Sequence, residues 1–369
     1  MRIIWFTWKD IFHPCAGGAE VVTHEITKRL AKNGHDVVII TSQYDGCKHG
    51  DVIDGVNIVR VGGRFIVYWK AYRYYKKHFK QKDVDIVIDE INTLPFFTSF
   101  YINKRERNYI FIHQLCREIW LYQMRFPLNI VGYCIEPMYL WLLRYNNTIT
   151  VSKSTKRDLK KYGFRSKNIS IISEGINING IINLEQNIKY DKPTLLSLGS
   201  IRRMKQVHHQ LRAFEIAKKH IPKLQFKIAG GLEDKYGQYF LNKIKESPFR
   251  EDIEYFGKVT DAQKKELMQK SHILVVTSLK EGWCLVVTEA NSQGTPAVVY
   301  DVDGLRDSVR HNKTGIVCDD NTPENLASNV VLLLRNKHKY DRLRNSAWQW
   351  SKQITFDKCY DDFKNYIDA

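Results

Sequence analysis

Short runs of β-branched and aliphatic residues recur along the chain, each followed by a longer stretch in which apolar residues return every three or four positions. That alternation predicts βαβ units, in which buried parallel strands are covered by helices. It occurs twice. The first series predicts strands at residues 3–7, 36–41, 57–61, 86–88, 109–112 and 148–151, with a helix over 20–33 whose end Gly34 can cap in the left-handed conformation. The second predicts strands at 194–198, 225–229, 253–256, 273–277, 297–300 and 315–318. A polar segment, 179–192, separates the two and reads as a linker and hinge. In the tail 345–369, Trp348, Trp350, Phe356, Tyr360, Phe363 and Tyr366 stand at mostly helical spacings, which predicts one or two amphipathic helices.

Length agrees with this division, because 369 residues exceed the roughly 250–300 at which a single core stops growing. The seven cysteines are odd in number, scattered, and never spaced C-x-x-C, so neither a disulfide framework nor a zinc site is indicated. Ile3, Ile4, Trp5 and Phe6 are followed by Lys9 and Asp10, which fits a buried first strand better than a leader. The most apolar stretch, 126–143, contains Asn129, Glu136 and Pro137, so no spanning helix is expected. The expected location is cytoplasmic, with the inner face of the cell membrane as a second place of residence.

Charge changes the picture. A net +17 attracts polyanions, and nucleic acid, anionic headgroups and phosphorylated substrates all satisfy it. Its densest source is 60–82, where Arg60, Arg64, Lys70, Arg73, Lys76, Lys77, Lys80 and Lys82 occur without an acidic residue and with Tyr68, Trp69 and Tyr72 among them. A patch for an anionic membrane and a solvated helix with its aromatics in the core are both consistent with that composition. No nucleic-acid recognition motif is found.

Open parallel sheets bind ligands beyond the carboxyl ends of their strands, so the loops there are the candidates for chemistry. Gly17-Gly18-Ala19-Glu20 opens the first helix, where backbone N–H groups can approach a phosphate; a plain tight turn reads equally well. In the second half, Gly199-Ser200-Ile201-Arg202-Arg203-Met204-Lys205 holds the matching place and converges cations on a strand end, which suits an anionic ligand. The segment from Ser278 to Ala290 carries Glu281 in a loop and Glu289 about two turns into the next helix, too far apart for one carboxylate dyad but able to grip two parts of a long ligand. His113 directly follows a strand; catalysis and a structurally satisfied imidazole both remain open for it.

In this order, and together with Gly34-His35-Asp36-Val37, Val151-Ser152-Lys153-Ser154, Glu174-Gly175-Ile176-Asn177, Phe256-Gly257, Gly294-Thr295-Pro296, Asp303-Gly304-Leu305-Arg306-Asp307 and Thr314-Gly315, these loops resemble the retaining glycosyltransferase family 4 over nearly the whole chain. The resemblance implies an α/β, GT-B fold: two Rossmann-like domains with parallel sheets facing a central cleft. Residues 1–185, joined by a C-terminal helix of about 352–369, are then the acceptor-binding domain, and 186–351 the domain for the nucleotide-sugar donor. The implied roles follow. Glu289 holds the ribose hydroxyls, Glu281 contacts the donor sugar, Lys205 with Arg202 or Arg203 neutralises the diphosphate, and His113 lies beside the sugar. Gly17, Gly18 and the backbone of Gly282, Trp283, Cys284 and Leu285 are the implied N–H donors. Catalysis falls to His113, Glu281 and Lys205, with no cofactor and no metal. The acceptor implied is a glycan or a lipid-linked oligosaccharide, in the making of cell-surface glycans or glycoproteins.

Two positions depart from the family pattern. Ser200 stands where arginine is usual, which leaves the diphosphate to Arg202 or Arg203, and Cys284 stands where glycine is common, at a backbone position that favours positive φ. Other readings are a polyanion-binding protein and a different enzyme of the same fold, such as an epimerase or a phosphorylase, since fold alone does not fix chemistry.

Overall fold

The computed structural model describes residues 1–369, the side chains of Gln123 and Asp234 excepted. It divides into two compact units, Met1–Gly175 with Phe356–Ala369, and Ile176–Thr355.

The first unit carries β1 (Arg2–Phe6), β2 (Asp36–Thr41), β3 (Gly50–Ile53), β4 (Val56–Arg60), β5 (Ile86–Glu90), β6 (Arg107–Ile112), β7 (Asn147–Thr150) and β8 (Ile169–Ile171), in the sheet order β3-β4-β2-β1-β5-β6-β7-β8. All neighbours run parallel except β3 and β4, an antiparallel hairpin. β1 lies in the middle, and Ile3, Ile4, Trp5 and Phe6 are wholly buried because both faces of the sheet are covered. The covering helices are α1 (Gly18–Lys32), α2 (Val67–His78), α3 (Ile119–Gln123), α4 (Leu128–Leu143) and α5 (Lys153–Lys161). Gly34, just past α1, has φ +82°, the left-handed cap its position predicts.

The second unit carries β9 (Thr194–Leu198), β10 (Gln225–Ala229), β11 (Ile253–Tyr255), β12 (Ile273–Val276), β13 (Ala297–Val299) and β14 (Gly315–Val317), all parallel, in the order β11-β10-β9-β12-β13-β14. Its helices are α6 (Val207–His220), α7 (Asp234–Glu246), α8 (Asp261–Lys270), α9 (Leu285–Ser292), α10 (Leu305–Ser308), α11 (Pro323–Arg335) and α12 (Lys337–Ser351). The last helix, α13 (Phe356–Asp368), belongs to the first unit, where Phe363 stacks on Trp5 with centroids 5.6 Å apart and Arg107 donates to the Ile367 carbonyl.

The units part at Gly175/Ile176, ahead of the residue 185 read from the polar segment. Residues 176–192 are not a free linker or hinge but part of the second unit's surface. Trp348 Nε1 donates to the Ile181 carbonyl at 3.0 Å, Arg344 Nη2 to that of Leu184 at 3.1 Å, and Lys189 Nζ to Thr295 Oγ1 at 2.7 Å. Polarity there reflects outward-facing side chains over a backbone that is tied down.

Strand order reverses beside the first strand of each unit, between β1 and β5 and again between β9 and β12. Connections on the two sides of such a switch point leave in opposite directions and open a crevice at the carboxyl ends. The loops following these four strands are therefore where each unit can hold a ligand.

Candidate functional site

In the second unit the loops after β9 and β12 meet. Leu279 N–H donates to the Met204 carbonyl at 2.9 Å, and Thr277 Oγ1 to that of Lys205 at 2.8 Å. Close approach needs glycine: a Cβ on Gly230 would lie 1.9 Å from the Gly199 carbonyl oxygen, and Gly199 itself has φ +130°. After Ser200, Arg203–Lys205 form one 3₁₀ turn that aims Lys205 Nζ at the Glu281 carboxylate. Ser278 Oγ donates to the same oxygen at 2.6 Å. Glu281 N–H donates to the Asp303 carbonyl at 3.1 Å, and Gly304, with φ +80°, leaves room for that backbone, since a Cβ there would lie 2.2 Å from the Glu281 carbonyl oxygen. Lys205 and Glu281 are thus brought together from two strands, as a charge-assisted pair on a rigid floor.

Arg202, half-buried, has Nη1 4.0 Å from Glu233 while its buried Nε lacks a hydrogen-bond partner; Arg203 is exposed. Downstream, Gly282 leads into Trp283, whose indole is buried, donates to Thr288 Oγ1 at 3.0 Å and lies 6.2 Å from Trp350. The Trp283 side chain is therefore taken up by the interior of the second unit. Cys284 caps α9 with φ +80° and ψ +72°. It holds the left-handed conformation that glycine would adopt freely, at a strain of about 1–2 kcal/mol. Leu285 begins the helix, so the backbone from Gly282 to Leu285 sits where the first amide groups have no intrahelical acceptor. Glu289, on α9 and only 8% exposed, is ion-paired at 2.7 Å with Lys264 of α8.

In the first unit, Gly17 caps α1 in an extended conformation and its N–H donates to Glu20 Oε2 at 2.6 Å, while Lys9 Nζ lies 3.1 Å from Glu20 Oε1. The Gly17 donor expected to be available to a phosphate is therefore engaged by its own helix; Gly18 opens α1. Arg60, counted with the basic surface stretch, is buried instead and pairs with Asp10 at 2.7 Å, fixing the loop after β1.

His113 leaves the end of β6 with its ring stacked on Phe111 and its carbonyl accepting from Thr155 Oγ1 at 3.1 Å. Its Nδ1 is 3.1 Å from Glu174 Oε1 and its Nε2 3.5 Å from Glu90 Oε1. The other Glu90 oxygen accepts from Trp5 Nε1 and Thr23 Oγ1, each at 2.7 Å. Burial favours neutral imidazole, but the two carboxylates outweigh it and push the His113 pKa up to about 10. With a carboxylate on each side, the ring favours its protonated form.

Sequence reasoning passed over Glu90 and Lys264 and gave Glu174 no role of its own. Glu90 carries a signal, the second of two acidic residues, Asp89 and Glu90, ending an apolar strand beside the switch point; Lys264 carries none, standing mid-helix among other polar residues. Among the described residues, no group of three or more His, Cys, Asp or Glu side chains is placed to hold a metal ion, and no helix is long and apolar enough to cross a membrane.

Two sheets of this kind, each with its chemistry-bearing loops at the switch point, define a GT-B protein, and the sequence comparisons agree. Residues 16–179 match the model of glycosyltransferase family 4 and residues 182–350 that of glycosyl transferases group 1. The chain belongs to this glycosyltransferase family and is an enzyme of the hexosyltransferase type. It is 25% identical to an uncharacterised glycosyltransferase of Methanocaldococcus jannaschii, over 94% of this chain and 92% of that one. In structure it is similar to the sucrose-phosphate synthase of Thermosynechococcus elongatus, with a TM-score of 0.81 at 15% identity over 99% and 98% of the two chains. It is also similar to HepE of Anabaena, solved with UDP and glucose, with a TM-score of 0.73 at 13% identity over 100% and 99%.

Proposed function

We propose that this enzyme moves a hexose from a nucleoside diphosphate sugar to a hydroxyl of a glycan or lipid-linked oligosaccharide, with retention of anomeric configuration, in the making of cell-surface glycans or glycoproteins. The observation that carries the reading is the Lys205–Glu281 pair at the switch point of the second unit, with Glu289 held by Lys264 on the neighbouring helix. In this reading Lys205 and Arg202 receive the diphosphate, the Glu281 carboxylate accepts hydroxyls of the sugar, and Glu289 accepts those of the ribose. HepE, of similar fold, has been solved with UDP and glucose, which favours a donor of that class.

Departure of the diphosphate develops negative charge on the leaving oxygen, so cations already in place lower the barrier without a metal. The bond from the anomeric carbon to the phosphate oxygen breaks as a bond to the acceptor oxygen forms on the same face. The acceptor proton passes to the departing phosphate, since His113, already protonated, has no capacity for it. Residues of the first unit receive the acceptor in this scheme.

The test is calorimetric and thermal-shift titration with UDP, GDP and ADP and their sugar conjugates, on the unaltered enzyme and on Glu289→Ala. One nucleotide should bind, and the variant should lose about 10–100-fold in affinity, the effect of removing about 1.5–3 kcal/mol of charged hydrogen bonding. Binding of none, or binding that Glu289→Ala leaves intact, refutes the assignment. Proton NMR of the product then reads the anomeric configuration directly.

A further inference from the structure

The first unit exposes a surface that its own core does not explain. α4 turns Gly132, Glu136, Tyr139, Leu140 and Leu143 inward. That inner face takes up the helix's only formally charged side chain: Glu136 accepts the N–H groups of Cys116 and Arg117 at 2.7 and 2.6 Å and the Trp120 indole at 3.0 Å. The outer face is apolar too. Leu128, Val131, Ile135, Met138 and Leu142 follow one another at spacings of three and four, all exposed, with Met138 at 65% and Trp141 beside them at 57%. A helix bordering water presents charge on that side, and contiguous apolar surface of this extent marks a place that something covers.

Cations surround this face. Arg125 precedes the helix; Arg144 follows it, stacked over Trp141 at 3.8 Å and Tyr145 at 4.4 Å, and Arg165 lies over Tyr145 at 5.1 Å. α2 is adjacent, because Arg64 Nη2, just before it, reaches Met124 Sδ at 3.5 Å just before α4. α2 buries Val67, Ala71 and Tyr75 and exposes Lys70, Arg73 and Lys77 together with Trp69 and Tyr72. Acidic residues are absent from 60–82, and Glu136 is the only one from 119 to 157.

We propose that α4 and α2 together seat the first unit on an anionic lipid bilayer. α4 lies in the plane of the interface with its outer stripe in the acyl boundary, while Arg64, Arg73, Arg125 and Arg144 meet lipid phosphates. Its 16 residues extend about 24 Å, short of the roughly 30 Å of a hydrocarbon core, and one side is packed on protein, so it rests on the membrane instead of crossing it. A bilayer suits this face better than a second copy of the chain. A dimer seam is flanked by complementary charges, whereas here Ile130 and Trp141 widen the apolar face and Arg125 and Arg144 stand at its two ends. The charge run 60–82 is thus half of the device, without the buried Arg60, and the apolar half is α4.

The full chain is mixed with vesicles of phosphatidylcholine, alone or with about a third phosphatidylglycerol, and sedimented. Binding is expected with the anionic vesicles, weakening as salt rises, with a blue shift of tryptophan emission that Trp141→Phe diminishes. Ile135→Glu with Met138→Glu, both at exposed sites, should reduce binding by on the order of tenfold or more at an unchanged unfolding midpoint; Arg64→Glu with Arg73→Glu should weaken it and flatten its salt dependence. No binding to either vesicle, or full binding by the Ile135/Met138 variant, overturns the proposal. So does a lipid-free dimer, by light scattering, that this variant dissolves, which would assign the face to a second copy. Nucleotide binding by the same variants, expected unchanged, separates failure of this surface from failure of the proposed donor site.

Discussion

Glu174→Gln tests the electrostatics of the His113 cluster directly. The ring is held between two carboxylates, at 3.1 Å from Glu174 and 3.5 Å from Glu90. With an effective dielectric of about 20, a charge pair at either distance is worth about 5 kcal/mol, and about 1.4 kcal/mol moves a pKa by one pH unit. Burial opposes both, and the balance leaves His113 at about 10 instead of the ordinary 6.5. Removing one carboxylate while the ring stays buried should bring the midpoint down by about three pH units, to the neighbourhood of 6.5. The assay is a histidine-selective NMR titration between about pH 5 and 10.5, with the His113 signal identified by its loss in His113→Asn. Stability gives a second reading. A folded-state pKa raised above the unfolded one stabilises fully below pH 6.5 and loses that contribution as pH climbs through about 10. The difference in unfolding free energy between the unaltered enzyme and Glu174→Gln should therefore shrink over that window, from about 3–5 kcal/mol on its acid side. A His113 signal titrating near 6.5 in the unaltered enzyme, or a midpoint indifferent to Glu174→Gln, refutes the reasoning.

Two further substitutions probe the second unit. Lys264→Met leaves the Glu289 carboxylate, 8% exposed, without its cation and should lower the unfolding free energy by about 1–3 kcal/mol. In a double-mutant cycle with Glu289→Gln the two should couple by about 1 kcal/mol or more, and strict additivity would disprove the pairing. At Cys284, with φ +80°, glycine relieves the left-handed strain and valine compounds it. Denaturant unfolding should show Cys284→Gly within about 1 kcal/mol of the original or above it, and Cys284→Val lower by about 2 kcal/mol or more; the reverse order would mean that the backbone there is not so constrained.

Central strands were easy to read; of the four edge strands, β11 and β14 were read and β3 and β8 were not. β2, β9 and β10 coincide with the predicted segments to the residue: β2 and β9 are largely aliphatic and buried, and β10 alternates buried Phe226 and Ile228 with half-buried Gln225 and Lys227. β3 escaped because an edge strand of two apolar residues looks like loop, although Asp54 and Gly55, with φ of +49° and +82°, are the hairpin pair that announces it. β8, three residues long, carries too little pattern to register. For the candidate site, Lys205, Glu281 and Glu289 were legible from loop position and motif order. Their partners were not: Lys264 and Glu289 stand on different helices, and the pairing of Arg60 with Asp10 depends on a strand and a loop being neighbours in space. Periodicity records which side of an element faces the core. It does not record which charged residue of another element will be found there, and so a buried arginine passed for a surface one.

The path of the chain through its two units has a consequence for synthesis. A ribosome delivers the second unit as one uninterrupted stretch, Ile176–Thr355, able to fold as soon as it emerges. The first unit waits: Trp5 in its central strand gains its stacking partner Phe363, and Arg107 its acceptor at Ile367, only with the final turns of α13. At roughly 5–20 residues per second, synthesis of Ile176–Thr355 takes on the order of ten seconds or more, during which the half made first is unfinished while the half made second is still being added. A chaperone that engages nascent apolar surface would find it on the older part of the polypeptide, and synthesis halted before α13 would leave a protein with one sound half and one open one.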